Sequence, residues 1–244
     1  MFELKSVRVE FGGLVALADI DLRIESGEQV CLIGPSGAGK STLLGLFNGR
    51  VMATRGEVRA EGENLSQFSP AKLRALRQRI AWVPQDLGLV PNLRVNQNVS
   101  CGRAGAKGFW GLMRSYLRMS GEEQEKIHAL LQRVGIPEKL FERVDHLSGG
   151  QQQRVAIARA LYQKPKAILA DEPVSAVDPE RARDLVELLT SAAREEGASL
   201  IMSLHDVSLA RRYFDRVIGL REGRIVFDGP AHEEGVKTLY RLTE

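Results

Sequence analysis

Residues 29–47 read QVCLIGPSGAGKSTLLGLF, and the fold follows from this stretch. Gln29–Ile33 is a short continuous apolar run, the pattern of a strand buried on both faces of a parallel sheet. It leads directly into Gly34-Pro35-Ser36-Gly37-Ala38-Gly39-Lys40-Ser41, a match to G-x-x-x-x-G-K-[ST], and then into Thr42 and an apolar helical segment. Glycines let backbone N–H groups close around a phosphate with no Cβ in the way. Lys40 is then placed to reach the β- and γ-phosphates of a nucleotide, and Ser41 to offer its hydroxyl to Mg²⁺. Strand, glycine loop and helix in this order predict an α/β fold with its ligand loop at a strand's carboxyl end.

The rest of the chain fits around this unit. Upstream, KSVRVEF and ADIDLRIE alternate with period two around a Gly-Gly turn, so they predict paired antiparallel strands. Downstream, GEVRAEGENL reads as a strand and turn. A short helix from Pro70 and a strand over Ile80–Val83 follow. From Asp86 to His146 the strand signals vanish, and Phe109, Leu112, Met113 and Tyr116 fall at i, i+3, i+4, i+7 of a helix. Strand–helix alternation returns with KAILADE, with a helix capped by Asp178 and Pro179 and stopped at Gly197, and with ASLIMSLHD. A hairpin turns at Glu222-Gly223. We expect a single domain over 1–244, with a helical subdomain inserted over 86–150.

Composition narrows the class. With 43% hydrophobic residues in 244, the chain can build a sizeable core, and 27% interspersed charge does not suggest disorder. A net charge of +3 is too weak to argue for nucleic acid, and no nucleic-acid partner is expected. Cys31 and Cys101 make neither a disulfide framework nor a metal site. No signal peptide and no apolar run near the ~18 residues of a membrane span is apparent, which predicts a soluble chain or one attached to a membrane through a partner. The basic run Lys72, Arg74, Arg77, Arg79 reads as a solvated helix face.

The strand AILAD ends on Asp171, which is placed to hold Mg²⁺, and Glu172 follows, within reach of a proton on an attacking water. The competing reading of this acidic pair is a helix N-cap. Gln85 and His205 close two other strands, where ligand groups gather in a parallel sheet, and Asp178 lies just past the Asp171 strand. A second anion-binding pattern appears at Leu147-Ser148-Gly149-Gly150-Gln151, where Ser-Gly-Gly opens a helix and presents unpaired N–H groups. It carries no lysine.

Taken together, these residues resemble the nucleotide-binding subunits of ATP-binding-cassette (ABC) transporters, from Phe11 to the hairpin around Gly223. The resemblance implies a P-loop NTPase core with an N-terminal antiparallel β-subdomain and an inserted α-helical subdomain. It implies ATP and Mg²⁺ as ligands: Gly34–Thr42 for the phosphates, Phe11 for adenine, Ser41, Gln85 and Asp171 for the metal. Glu172 is then the catalytic base, assisted by Gln85 and His205. The family works as a head-to-tail dimer, so Ser148, Gly149, Gly150, Gln151 and Asp178 would complete the partner's site, and Lys40 would already serve the same phosphate from across the interface. Partners implied are a second copy, an integral membrane permease and, indirectly, an extracytoplasmic solute-binding protein. The chain would lie peripherally on the cytoplasmic face of the membrane. SLHDVSLARRYFDRVIGLREGRIVFDGP, NGRV and GFWGL resemble the ATPases of phosphonate importers, with phosphite or phosphate as related solutes. An amino-acid importer, an exporter or lipoprotein-release ATPase, and a soluble clamp on ribosome or DNA are the competing expectations.

Overall fold

The computed structural model describes residues 1–105, 119–175 and 177–240. The helix expected over Phe109–Tyr116, with its aromatic residues, lies outside the described residues. Two sheets carry the fold. β1 (Phe2–Phe11), β2 (Leu14–Ile24), β4 (Arg55–Ala60) and β5 (Glu63–Asn64) form an antiparallel sheet in the order β2-β1-β4-β5. The second sheet is ordered β10-β9-β3-β8-β7-β6, from β3 (Gln29–Ile33), β6 (Ile80–Val83), β7 (Ala167–Asp171), β8 (Ser199–Ser203), β9 (Arg216–Arg221) and β10 (Arg224–Gly229). Its strands are parallel except β10, which returns antiparallel to β9.

The continuous apolar runs have the predicted cause: both faces of the parallel sheet are covered. Val30, Leu32, Leu169, Ile201 and Ile218 point into one core with α1 (Lys40–Phe47) and the antiparallel sheet. Cys31, Ile33, Ile168, Ala170 and Met202 point into the other, beneath the helices. Burial pushes the Cys31 thiol far up from its ordinary pKa, so it behaves as a small apolar residue. α1 is wedged between the sheets, against β7 and β8 on one side and β2 and β4 on the other, with Phe47 stacked on Phe2.

The second core extends into the segment before residue 150. There α3 (Val95–Ser100) and α4 (Gly121–Arg133) pack with α5 (Gly149–Tyr162) through Val95, Val99, Ile127, Leu131 and Val155. Among the described residues of 86–150 no strand occurs beyond an isolated bridge between Arg94 and Arg143. α2 (Pro70–Arg77) starts at Pro70 with Ser69 as its cap. Its basic run is less free than a solvated face: Arg77 donates to the Asn48 and Gly49 carbonyls, and Lys72 and Arg79 pair with Glu63 and Glu61. α6 (Pro179–Glu195) is capped by Asp178, which accepts the Arg181 N–H. α7 (Val207–Tyr213) and α8 (Glu233–Tyr240) complete the helices.

The β9–β10 turn does more than reverse the chain. Glu222 and Gly223 both have positive φ, 50° and 72°, the primed-turn geometry that matches strand twist. The Gly223 N–H donates to Ala38 O at 3.2 Å, and Gly223 O accepts from Ala18 N at 2.8 Å. A Cβ at Gly223 would stand 2.7 Å from Ala16 O, whereas one at Gly197, also left-handed, would meet nothing within 4 Å. Gly223→Ala therefore carries both backbone strain and a backbone clash, and Gly197→Ala the strain alone, about 1–2 kcal/mol. Urea unfolding is expected to show Gly223→Ala as the more destabilised; equal midpoints would mean that the turn gives way.

Candidate active site

The glycine loop lies where β3 ends and α1 begins. Gly34 is the only residue type that fits its position, because a Cβ there would lie 2.2 Å from Leu220 O. Gly39 is the N-cap of α1 and offers no side-chain cap. The caps of α2, α4, α5, α6 and α7 all bond a first-turn N–H through a side chain. α1 alone among these six leaves its positive end to the loop, open to an anion. Lys40, 5% exposed, folds back so that Nζ donates to Gly34 O at 2.9 Å and Pro35 O at 3.2 Å. Those carbonyls satisfy a buried ammonium.

β7 brings the acidic pair to this loop. Asp171 is 7% exposed, and its Oδ1 accepts the Ser203 hydroxyl at 2.9 Å; its second oxygen has no hydrogen-bond partner among the described residues. Glu172 takes a left-handed φ of 49°. Its Oε1 lies 3.5 Å from Lys40 Nζ and 2.7 Å from His205 Nε2, with only 13% of the side chain exposed. The N-cap reading of this pair fails: the next helix starts at Pro179 and is capped by Asp178. His205 is not buried core histidine; it is half exposed and faces Glu172. Beside them a cleft of about 240 Å³ opens along Val174, Val177, Leu204 and Leu209.

Other predicted residues stand apart. Gln85 is exposed in the turn after β6 and makes no bond to Ser41 or Asp171. That turn is held by Arg159, whose guanidinium, its pKa lowered by burial, donates to Leu87 O and Gly88 O. Phe11 is 52% exposed at the end of β1. Asp178 is exposed at the start of α6.

The second glycine pattern does open a helix, α5, as predicted, but part of it is spoken for. Ser148 Oγ accepts the Gln151 N–H at 3.4 Å, and Gln151 Oε1 accepts the Ser148 N–H at 3.0 Å, a reciprocal capping box. Gly149 and Gly150 keep N–H groups without a partner among the described residues. A Cβ at Gly149 would meet nothing within 4 Å, and one at Gly150 only Arg181 Cδ at 3.8 Å. No hydrogen bond or ion pair among the described residues joins Ser148–Gln151 to Gly34–Thr42. Ser203 is a functional residue that no sequence motif marks; the one signal is a buried serine at the carboxyl end of β8, SLIMS, whose middle is apolar.

Comparison with known proteins agrees with this geometry. The family model described as ABC transporter matches residues 17–175. A phosphonates import ATP-binding protein, PhnC 3, of Halalkalibacterium halodurans is 43% identical, over 99% of this chain and 93% of its own length. One from Alcaligenes faecalis is 42% identical over 99% of this chain and 87% of its own. Among solved structures, a dimeric ATP-binding cassette in a post-hydrolysis state with ADP and Pi matches with a TM-score of 0.80 at 32% identity, covering 95% of this chain and 99% of that one. The cbiO1 structure of Clostridium perfringens, part of the ABC transporter complex cbiONQ, matches with a TM-score of 0.81 at 28% identity, covering 97% of this chain and 91% of that one. A glycine loop at the end of β3, an acidic pair at the end of β7 two strands away and this range of relatives lead to one assignment: the chain belongs to the ABC transporter family, as an ATP-hydrolysing cassette.

Proposed function

We propose that this chain is the ATPase subunit of an importer for phosphonates or a related oxyanion. The observation that carries the catalytic part is the Glu172 carboxylate, held largely out of water between Lys40 and His205 beside the phosphate loop. The transported class is supported by relatives 42–43% identical along almost the whole chain and named as phosphonates import proteins.

ATP is the substrate. Its phosphates rest in the Gly34–Thr42 loop on the backbone N–H groups other than that of Pro35, which has none, while Lys40 exchanges the Gly34 and Pro35 carbonyls for phosphate oxygens. Phe11 offers an exposed ring to adenine. With Lys40 so engaged, Glu172 accepts the proton of the attacking water, and His205 and Gln85 hold the γ-phosphate and that water in line. Ser41 and the unpartnered oxygen of Asp171, with Gln85, suit a hard cation that prefers oxygen ligands. Mg²⁺ in that place supplies charge neutralisation at the β- and γ-phosphates.

The glycines of α5 support a head-to-tail pair. Ser148–Gln151 and Asp178 act on the neighbour's nucleotide, since among the described residues nothing stands within 4 Å of a Cβ built at Gly149 and only the Arg181 side chain approaches one at Gly150. Residues 86–150 are then the helical subdomain that presents this surface. No helix of the described residues is long and apolar enough to cross a membrane, so membrane attachment runs through a permease, on its cytoplasmic side. A solute-binding protein outside the membrane would set specificity.

Purification of the chain with its membrane partners tests the transport reading. A multi-span permease with a binding protein that takes up methylphosphonate, phosphite or phosphate supports it; recovery with ribosomes or DNA overturns it. For the chemistry, Glu172→Gln is expected to bind ATP normally and to lose turnover by about 10²–10⁴-fold; wild-type turnover would remove Glu172 from the base's role. Lys40→Ala should weaken nucleotide binding, measured by equilibrium titration, and an unchanged affinity would contradict the phosphate placement. Gly149→Asp adds a charge where the chain itself is open. It should keep its melting temperature within about 2 °C yet lose ATP-driven dimerisation and turnover. Dimerisation at wild-type strength would sink the shared-site arrangement.

A further inference from the structure

Ser203 closes β8 at the same level as Asp171 closes β7, the two being paired in the parallel register. Its side chain is fully buried, at 0% exposure. One oxygen serves both acidic residues. The Glu172 N–H donates to Ser203 Oγ at 2.8 Å, and Ser203 Oγ donates to Asp171 Oδ1 at 2.9 Å. The direction of each bond is forced, because a backbone N–H only donates and an ionised carboxylate only accepts. The hydroxyl proton therefore belongs to Asp171.

Both bonds have structural consequences. Glu172 sits at a φ of 49°, a backbone region that a non-glycine residue keeps only where its surroundings hold it there. The bond from its N–H to Ser203 is such a hold, and it fixes where the Glu172 carboxylate emerges relative to Lys40 and His205. The bond to Oδ1 fixes the Asp171 carboxylate, leaving the second oxygen for a ligand. His205 is two residues beyond Ser203 on the same chain segment. One short segment thus carries both the partner of the Glu172 carboxylate and the anchor of its backbone.

We infer that Ser203 is a positioning residue of the hydrolytic site, acting through Asp171 and Glu172 by this two-way hydrogen bond. The inference rests on the roles proposed for those two residues. A residue that supports a ligating or catalytic group in this way typically alters activity by about 10–100-fold when removed.

The test uses two variants of the full chain. Ser203→Ala removes the hydroxyl and leaves a small void. Ser203→Cys keeps nearly the same volume, with a far weaker donor. Steady-state ATP hydrolysis, Mg²⁺ titration of the rate, binding of a fluorescent ATP analogue without Mg²⁺, and thermal melting are measured for each. We expect both variants to lose about 10–100-fold in kcat and to need more Mg²⁺ for half-maximal rate. Metal-free nucleotide affinity should stay within about twofold, because neither bond reaches the phosphate loop. Adding Ser203→Ala to Glu172→Gln should cost much less than it does alone, since the residue it positions is already disabled.

Wild-type kcat in either folded variant overturns the inference. So does a Ser203→Cys protein that hydrolyses normally while Ser203→Ala fails, because packing would then be the only role. A full multiplicative loss in the double variant also overturns it. Asp171→Asn and Glu172→Gln run alongside: if they hydrolyse ATP at the wild-type rate, it is the underlying site assignment that falls. If they are impaired and the Ser203 variants are not, only the role of Ser203 falls.

Discussion

Burial of the parallel sheet on both faces is the constraint from which the site follows. With apolar cores above and below β3, β7 and β8, polar groups can be placed only where the strands end. The chain uses those ends in turn. β3 ends in the glycine loop, β7 in Asp171 and Glu172, β8 in Ser203 and His205, and β6 leads into Gln85. Main-chain register then does the aligning: Asp171 lies beside Ser203 because Ala167 lies beside Ser199. A one-residue slip would separate Asp171 from Ser203 and carry these polar ends off the level of the glycine loop.

Charge is handled by the same few groups. Lys40 and Glu172 are both largely buried, and each would be costly alone. They lie 3.5 Å apart, Lys40 leaning on two loop carbonyls and Glu172 on His205. The two carbonyls bring no charge of their own, so an anionic phosphate oxygen would compete with them for the ammonium.

Much of this was legible in the sequence because it rests on local chemistry. The Gly34–Ser41 spacing, the Ile80–Val83 strand, the Pro70 helix start and the Asp178 cap depend on residues adjacent in the chain, and the structure has them where they were expected. What escaped depends on register between distant segments. Ser203 meets Asp171 across 32 residues, and Gly223 meets Ala38 and Ala18 across far more. Neither pairing leaves a periodic trace. The basic run at Lys72–Arg79 looked like a solvated face for the same reason: its carboxylate and carbonyl partners lie elsewhere in the chain. The capping box at Ser148 and Gln151, in contrast, is written locally in S-G-G-Q, the same residues that carry the anion-binding pattern.

The Glu222-Gly223 turn has a mechanical consequence. One glycine takes its N–H to the phosphate loop and its carbonyl to β2, so loop, parallel sheet and antiparallel sheet are riveted at a single point. A phosphate held by the loop would therefore bear on both sheets through this one glycine.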